Sequence, residues 1–201
     1  MFTGLVQDVG TVKSVESNAE GARLRIATDL APEIQPGDSV AVDGACLTAS
    51  NVDGDGFEVE AMNQTLELTT LDGADEGHRV NLELAMKPTD RFGGHIVQGH
   101  VDTVGEVLEV RADGFARRFR VRLGPSAMEL MVPQGSITLD GVSLTVADMT
   151  DDWVGVSLIP ETLSRTTLGE AREGSRINVE CDVIAKHVER LVRPLARKEQ
   201  A

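Results

Sequence analysis

The sequence predicts an all-β protein, built as two tandem copies of one small barrel and finished by a single C-terminal helix. The first observation behind that reading is a repeat: VAVDGACLT at 40–48 returns as ITLDGVSLT at 137–145, 97 residues later. The same interval carries MNQTLELTTL (62–71) onto IPETLSRTTL (159–168), and GHRVNLE (77–83) onto GSRINVE (174–180). Near the start of each unit, GLVQDVG (4–10) pairs with GHVDTVG (99–105) at a spacing of 95, so two residues were inserted between these blocks. A period this long marks two complete domains and not a solenoid. The second observation is a succession of short segments rich in Val, Ile, Leu and Thr, bounded by Gly, Asp, Asn or Pro, as closed barrels require. The third is a tail that breaks the repeat with a helical stripe.

In the first unit the pattern predicts strands over 9–15, 23–28, 39–42, 57–62 and 80–85, and in the second over 104–110, 119–123, 136–139, 154–158 and 177–181. Turn signals, Asn51 to Gly54 and Asp151-Asp152, fall at the same place in both units. One short helix per unit is expected, over 31–35 and 126–132, each stopped by a proline, Pro36 and Pro133. From Val183 the apolar residues Ile184, Val188, Leu191 and Leu195 step by 4, 3 and 4, with Lys186, Glu189, Arg190 and Arg193 between them. Such a helix is too short to stand alone, so it packs either on its own barrel or on copies of itself in an oligomer. Pro194 is expected to end or kink it near Arg193. The predicted domains are therefore 1–87, 88–182 and, for the helix and tail, 183–201.

At 201 residues the chain can form two domains of about 90 residues, each with its own core. A net charge of −14 disfavours nucleic acid and anionic membrane as partners, because either needs a basic face. A neutral or weakly charged ligand suits it better than a polyphosphate. No apolar run approaches the roughly 20 residues that span a bilayer, and MFTGLVQDVG lacks the basic flank and apolar core of a signal peptide. The two cysteines, Cys46 and Cys181, cannot build a disulfide framework, although one bridge between them stays open. A reducing cytoplasm is the expected compartment.

The repeats differ where chemistry needs difference. One copy places Cys46 and the other Ser143 before the same Leu-Thr pair, and a thiol ionises far more readily than a hydroxyl. A small core cysteine would leave the same trace. His95 and His100 lie five apart in the glycine-rich GGHIVQGHV. Little surrounds them to pack against, so a polar or proton-handling role is preferred. No second ligand pair supports a metal. His78 and His187 read as surface residues. Asp43 and Asp140, each before a glycine, read as turn residues, whereas Asp182, at the end of the second unit, could face a ligand. The threonines at 69–70 and 166–167 satisfy strand propensity. No GxGxxG, Walker A or GxSxG motif supports a nucleotide-dependent or hydrolase reading.

On MFTG, the VDGACLT and LDGVSLT pair, GGHIVQGHVD, IPETLSRTTLG and the closing VNLE and INVE, the chain resembles riboflavin synthase of the trimeric α-chain type, over about 1–193. The resemblance implies two six-stranded Greek-key barrels, a homotrimer joined by the C-terminal helix and an association with lumazine synthase. It implies dismutation of two 6,7-dimethyl-8-ribityllumazine molecules to riboflavin and 5-amino-6-ribitylaminouracil by four-carbon transfer, with no metal or organic cofactor. Each barrel would bind one lumazine, the site forming where the N-barrel of one chain meets the C-barrel of another. The family's contact segments fall on Gly4, Leu5 and Val6, on Cys46, Leu47 and Thr48, and on Glu60, Ala61, Met62, Asn63, Gln64 and Thr65. They fall also on Gly99, His100 and Val101, on Ser143, Leu144 and Thr145, and on Ser157, Leu158, Ile159, Pro160, Glu161 and Thr162. Gln134 stands where the family commonly has Lys, which removes a positive charge.

The lumazine C7 methyl is acidic because its anion spreads into the ring carbonyls, and backbone N–H groups and hydroxyls aimed at those oxygens would stabilise it. Holding two ligands face to face removes up to about 7–11 kcal/mol of the barrier. Cys46 and Ser143 are expected to take unequal roles, with His95, His100 and Asp182 assisting proton transfer. Two rivals share the fold class. A non-catalytic lumazine- or flavin-binding protein would degrade the GGHxxxGH stretch and the second DGVSLT motif, both intact here. A flavin reductase barrel would need a nicotinamide-binding domain with its glycine-rich turn.

Overall fold

The computed structural model describes residues 1–198, with side chains described as far as Arg193. The first unit contains strands β1 (Asp8–Asn18), β2 (Gly21–Ala27), β3 (Ser39–Val42), β4 (Ala45–Ser50), β5 (Gly56–Met62) and β6 (Arg79–Leu84). They form a closed antiparallel barrel in the order β1-β2-β5-β4-β3-β6, with β6 returning to β1. Alternation places Leu24, Ile26, Val40, Val42, Phe57, Val59 and Leu82 inside, all fully buried. Each such side chain contributes about 1.5–3 kcal/mol by leaving water. The β1–β2 turn closes because the Asn18 side chain accepts from the N–H groups of Glu20 and Gly21, at 2.7 and 3.1 Å.

The second unit repeats the plan with β7 (Thr103–Asp113), β8 (Ala116–Arg122), β9 (Ser136–Leu139), β10 (Val142–Thr145), β11 (Asp148–Met149), β12 (Trp153–Leu158) and β13 (Arg176–Cys181). The order is β10-β9-β13-β7-β8-β12-β11, a seven-stranded half-barrel whose edge strands do not pair to close it as the first sheet does. Here β10 and β11 together take the place of β4. The chain leaves the ladder at Val146 and Ala147, whose N–H groups bond the carbonyls of Gly135 and Gly155 instead. The core gathers Phe119, Val121, Ile137, Leu139, Val156, Leu158, Ile177 and Val179.

The strands appear where the pattern puts them, within a few residues. Three were hidden: β4 and β10 start directly after the Asp-Gly turn and read as part of it, and β11 is only two residues long. The helices required more correction. The expected helix at 31–35 is a 3₁₀ turn, Ala31–Glu33, and that at 126–132 is α2, Pro125–Met128. Unexpected helices α1 (Asn63–Leu68) and α3 (Pro160–Arg165) occupy the repeated TL-x-x-TTL blocks. At six residues each, they are too short to show a helical period. The threonines there do not extend strands: Thr69 and Thr166 donate their hydroxyls to the carbonyls of Thr65 and Thr162, both at 2.7 Å, closing each helix.

The tail forms α4 (Val183–Lys198), which runs through Pro194 instead of ending near Arg193. Pro194 has no N–H to offer the carbonyl four residues back, and the helix continues past that missing bond. The side chain of Leu195 and residues 199–201 lie outside the described part. Polar residues hold α4 to its own barrel, Lys186 to Asp102 at 2.6 Å and Arg193 to Glu129 at 2.8 Å, while Ile184, Val188, Leu191 and Val192 are more than half exposed. Among the described residues no helix is long and apolar enough to cross a membrane.

The two barrels meet across a pseudo-twofold axis. Phe2 and Val97 pair antiparallel, through Phe2 N–H to Val97 O at 2.8 Å and Val97 N–H to Phe2 O at 3.2 Å. Gly44 and Gly141 touch so closely that a Cβ on Gly44 would lie 2.8 Å from the Gly141 nitrogen. Asn81 donates to Asp140 O at 2.8 Å and accepts from Thr167 N–H, while Asn178 donates to Asp43 O at 2.9 Å and accepts from Thr70 N–H.

Candidate active site

This symmetry makes two equivalent crossings, at Cys46 and at Ser143, each built from both repeats. In the first barrel the turn residues Asp43 and Gly44, both at positive φ, bring Cys46 to the start of β4. Cys46 opens onto a cleft of about 170 Å³ lined also by Gln64, Thr65, Leu68, Gly99, His100 and Val101. The last three belong to the second repeat. Cys46 N–H donates to Gly99 O at 2.8 Å, and Val101 packs against the first core. In the second barrel Ser143 N–H donates to Gly4 O at 2.8 Å, and Val6 packs against the second core. Gly4 and Gly99 have φ of +77° and +78°, and a Cβ on either would lie within 2.6 Å of the Ser143 or Cys46 Cβ. Only glycine fits there.

The surroundings of Cys46 and Ser143 differ. Cys46 packs against an apolar cluster of Phe2, Ala41 and Val97. Ser143 instead has its Oγ 2.7 Å from His95 Nδ1, and His95 Nε2 lies 3.3 Å from Thr138 Oγ1. A neutral imidazole accepts through one nitrogen and donates through the other, so His95 joins the two hydroxyls. Burial lowers its pKa, opposed by the charge of Asp182. The expectation that His95 lacks packing partners was wrong, for it is buried. The glycines beside it let the linker press against Ser143, where a Cβ on Gly94 would lie 3.1 Å from Ser143 Oγ.

The other predicted residues are placed as follows. His100 is exposed at the edge of the first cleft. Asp182 caps α4, its Oδ1 accepting from Ile184 N–H at 2.8 Å, and reaches His95 through its charge alone. Gln134 is exposed in a left-handed turn at φ +63°, its N–H bonded to Val146 O. Leu47, Ala61 and Leu158 point into the barrel cores, whereas Thr48, Thr145, Ser157, Met62, Ile159 and Pro160 are exposed. Leu5 is exposed, and Leu144 packs partly against the second core. Glu60 pairs with Arg23 at 2.6 Å, Asn63 donates to Ala19 O, and Glu161 pairs with Arg165. Thr162 is half-buried. Both cysteines are free. Burial, followed by the charge of Asp102, pushes the Cys181 thiol up to about 12, which leaves Cys46 as the available nucleophilic sulfur.

Five residues that shape the two crossings escaped the sequence reading. Glu83 accepts from Thr3 N–H and Oγ1 and from Gly4 N–H, at 2.7, 3.0 and 2.9 Å. Glu180 accepts from the N–H groups of Gln98, Gly99 and His100, at 2.8, 3.0 and 3.2 Å. With Asn81 and Asn178 they carried a signal: an N-x-E pair kept in both copies of a buried strand. Thr138 carried none, since its counterpart is Ala41.

The sequence matches the lumazine binding domain twice, over 3–85 and 98–182. It is 44% identical over 198 residues to riboflavin synthase of Mycobacterium tuberculosis (strain ATCC 25618 / H37Rv), covering 96% of this chain and 98% of that one. The chain belongs to the riboflavin synthase family. Riboflavin synthase of Bacillus subtilis (strain 168) is 39% identical over 193 residues, 96% of this chain and 90% of its own. In structure the family member resembles LumP complexed with riboflavin, with a TM-score of 0.83 and 26% identity over 90% of this chain and 99% of LumP. LumP complexed with 6,7-dimethyl-8-(1'-D-ribityl) lumazine gives a TM-score of 0.82 at 24% identity, which speaks for the fold alone.

Proposed function

We propose that this chain converts two molecules of 6,7-dimethyl-8-ribityllumazine into riboflavin and 5-amino-6-ribitylaminouracil by four-carbon transfer. The observation that carries the reading is a pair of like crossings with unlike polar groups, Cys46 at one and Ser143 with His95 at the other, in a chain matching riboflavin synthases nearly end to end. The reaction needs one lumazine to lose a C7-methyl proton and the other to accept a nucleophile at C7. Cys46 and Ser143 serve these unequal demands. His95 keeps the Ser143 hydroxyl aligned as donor or acceptor, His100 exchanges protons at the first cleft, and Asp182 sets the charge that His95 feels. Gly4 to Val6 and Gly99 to Val101 form walls of the ligand sites.

The reacting pair assembles between the N-barrel of one chain and the C-barrel of another, within a homotrimer. The exposed stripe Ile184, Val188, Leu191 and Val192 on α4 supports that assembly, and light scattering that gave a monomeric mass would contradict it. Two free cysteines fit a reducing cytoplasm, where association with lumazine synthase would hand over the substrate. The second reading is a lumazine- or flavin-binding protein without turnover, favoured by the likeness to LumP. Incubation with the lumazine decides between them: riboflavin fluorescence should grow with time, and stable lumazine binding without riboflavin would establish the binding protein.

A further inference from the structure

We propose that the buried carboxylates Glu83 and Glu180 are crosswise positioning residues: Glu83 of the first barrel shapes the ligand site of the second, and Glu180 of the second shapes that of the first. The proposal rests on the reading that each barrel binds one ligand, beside Cys46 or Ser143. Neither carboxylate lines a cleft. Each stands on the last strand of its barrel, 5% and 2% exposed respectively, and gathers the incoming chain of its own repeat. Glu83 takes three donors from Thr3 and Gly4, and Glu180 takes three from Gln98 to His100.

What these carboxylates hold then crosses the axis. The Gly4 carbonyl, fixed through Glu83, receives the Ser143 N–H, and Val6 continues onto the second core. The Gly99 carbonyl, fixed through Glu180, receives the Cys46 N–H, while His100 and Val101 become a wall of the first cleft. A carboxylate suits the task because it only accepts, with room for several donors on two oxygens, and its bonds to N–H groups are charge-assisted. Glutamine in the same place has one accepting oxygen and points an NH₂ group at N–H donors. The walls would lose their fixed position without any change in the residues that touch ligand.

Cys46 makes the crossing measurable, since it opens onto the first cleft while Cys181 is buried. In the intact chain riboflavin should slow alkylation of Cys46 by iodoacetamide, and calorimetry should count two ligands per chain. Glu180→Gln should raise the riboflavin concentration for half-protection of Cys46 at least tenfold and leave the other site within about twofold. Glu83→Gln should do the reverse, sparing Cys46 protection and weakening the other site at least tenfold. Glu180→Asp and Thr3→Val, milder changes verified by urea melts, should shift the same sites severalfold in the same directions if a glutamine variant fails to fold. Equal loss of Cys46 protection in both variants, or a shift in neither, overturns the proposal. Absence of riboflavin protection in the unsubstituted chain would instead overturn the ligand site itself.

Discussion

Cys46 and Ser143 occupy the same position in two copies of one barrel, each after an Asp-Gly turn and each bonded to a glycine from the opposite repeat. Around Cys46 the neighbours are Ala41 and Phe2; around Ser143 they are Thr138 and His95. Part of the difference is substitution, Ala41 against Thr138 at the repeat spacing. Part is position in the chain. His95 lies in the segment that joins the barrels, between the two matched domains, and turns its ring onto Ser143 and Thr138. The second barrel thus receives a histidine from the linker, whereas Cys46 of the first packs against the apolar Phe2, Ala41 and Val97. A duplication produces equal frames, and the linker that joins the copies makes them chemically unequal.

The strongest challenge to this comparison is to remove what makes the frames equal. Gly4→Ala and Gly99→Ala add left-handed strain of about 1–2 kcal/mol and overpacking of about 1–3 kcal/mol against Ser143 or Cys46. Both should lower stability in urea melts by similar amounts, and tolerance at one position would show that the crossings are not equivalent. The next test separates the chemistry. Cys46→Ser should reduce turnover about 100-fold with riboflavin binding largely intact, as should Ser143→Ala; unchanged turnover removes that residue from the mechanism.

A smaller effect concerns the axis. Asp43 and Asp140 accept from the N–H groups of Asn81 and Asn178, at 2.7 Å each. Burial raises both pKa values, that of Asp140 to about 7, and the charge of Asp140 raises Asp43 further. The folded chain therefore holds these protons more tightly than the unfolded chain, and their contribution is complete below the unfolded value near 3.8. It is lost as pH climbs to about 7. Asp140→Asn, which keeps an accepting oxygen and tolerates positive φ, should flatten the melting temperature across that window. The smallest effect distinguishes the barrels by charge. His95 is held neutral below its ordinary value, so turnover should fall only as pH drops beneath about 6.5. Asp182→Asn retains the cap of α4 and removes the charge that raises His95, so this acid limb should move to lower pH. An unmoved limb would assign it to a group other than His95.

Much of the fold was legible because a strand needs only a period of two and a turn at each end. Residues 39–42 and 136–139 were read to the residue, since Gly-Asp or Gln-Gly precedes them and Asp-Gly follows. The strands after those turns were hidden in the motif, and α1 and α3 were hidden by their length. In the site, Cys46 and Ser143 stood out as a mismatch between copies. Glu83 and Glu180 did not, because a glutamate at the end of a strand reads as a solvated face until burial is known.

The sequence by itself determined the duplication, the barrel class and the one position where the copies trade a thiol for a hydroxyl. Each of these is a local pattern or a comparison of letters at fixed spacing. Tertiary structure alone decided that the opening segment of each repeat completes the other repeat's cleft. Spacing along the chain says which residues are equivalent, but the crossing depends on how two barrels pack about Gly44 and Gly141. That contact forms only when both are folded, and it sets Gly4 against Ser143 and Gly99 against Cys46.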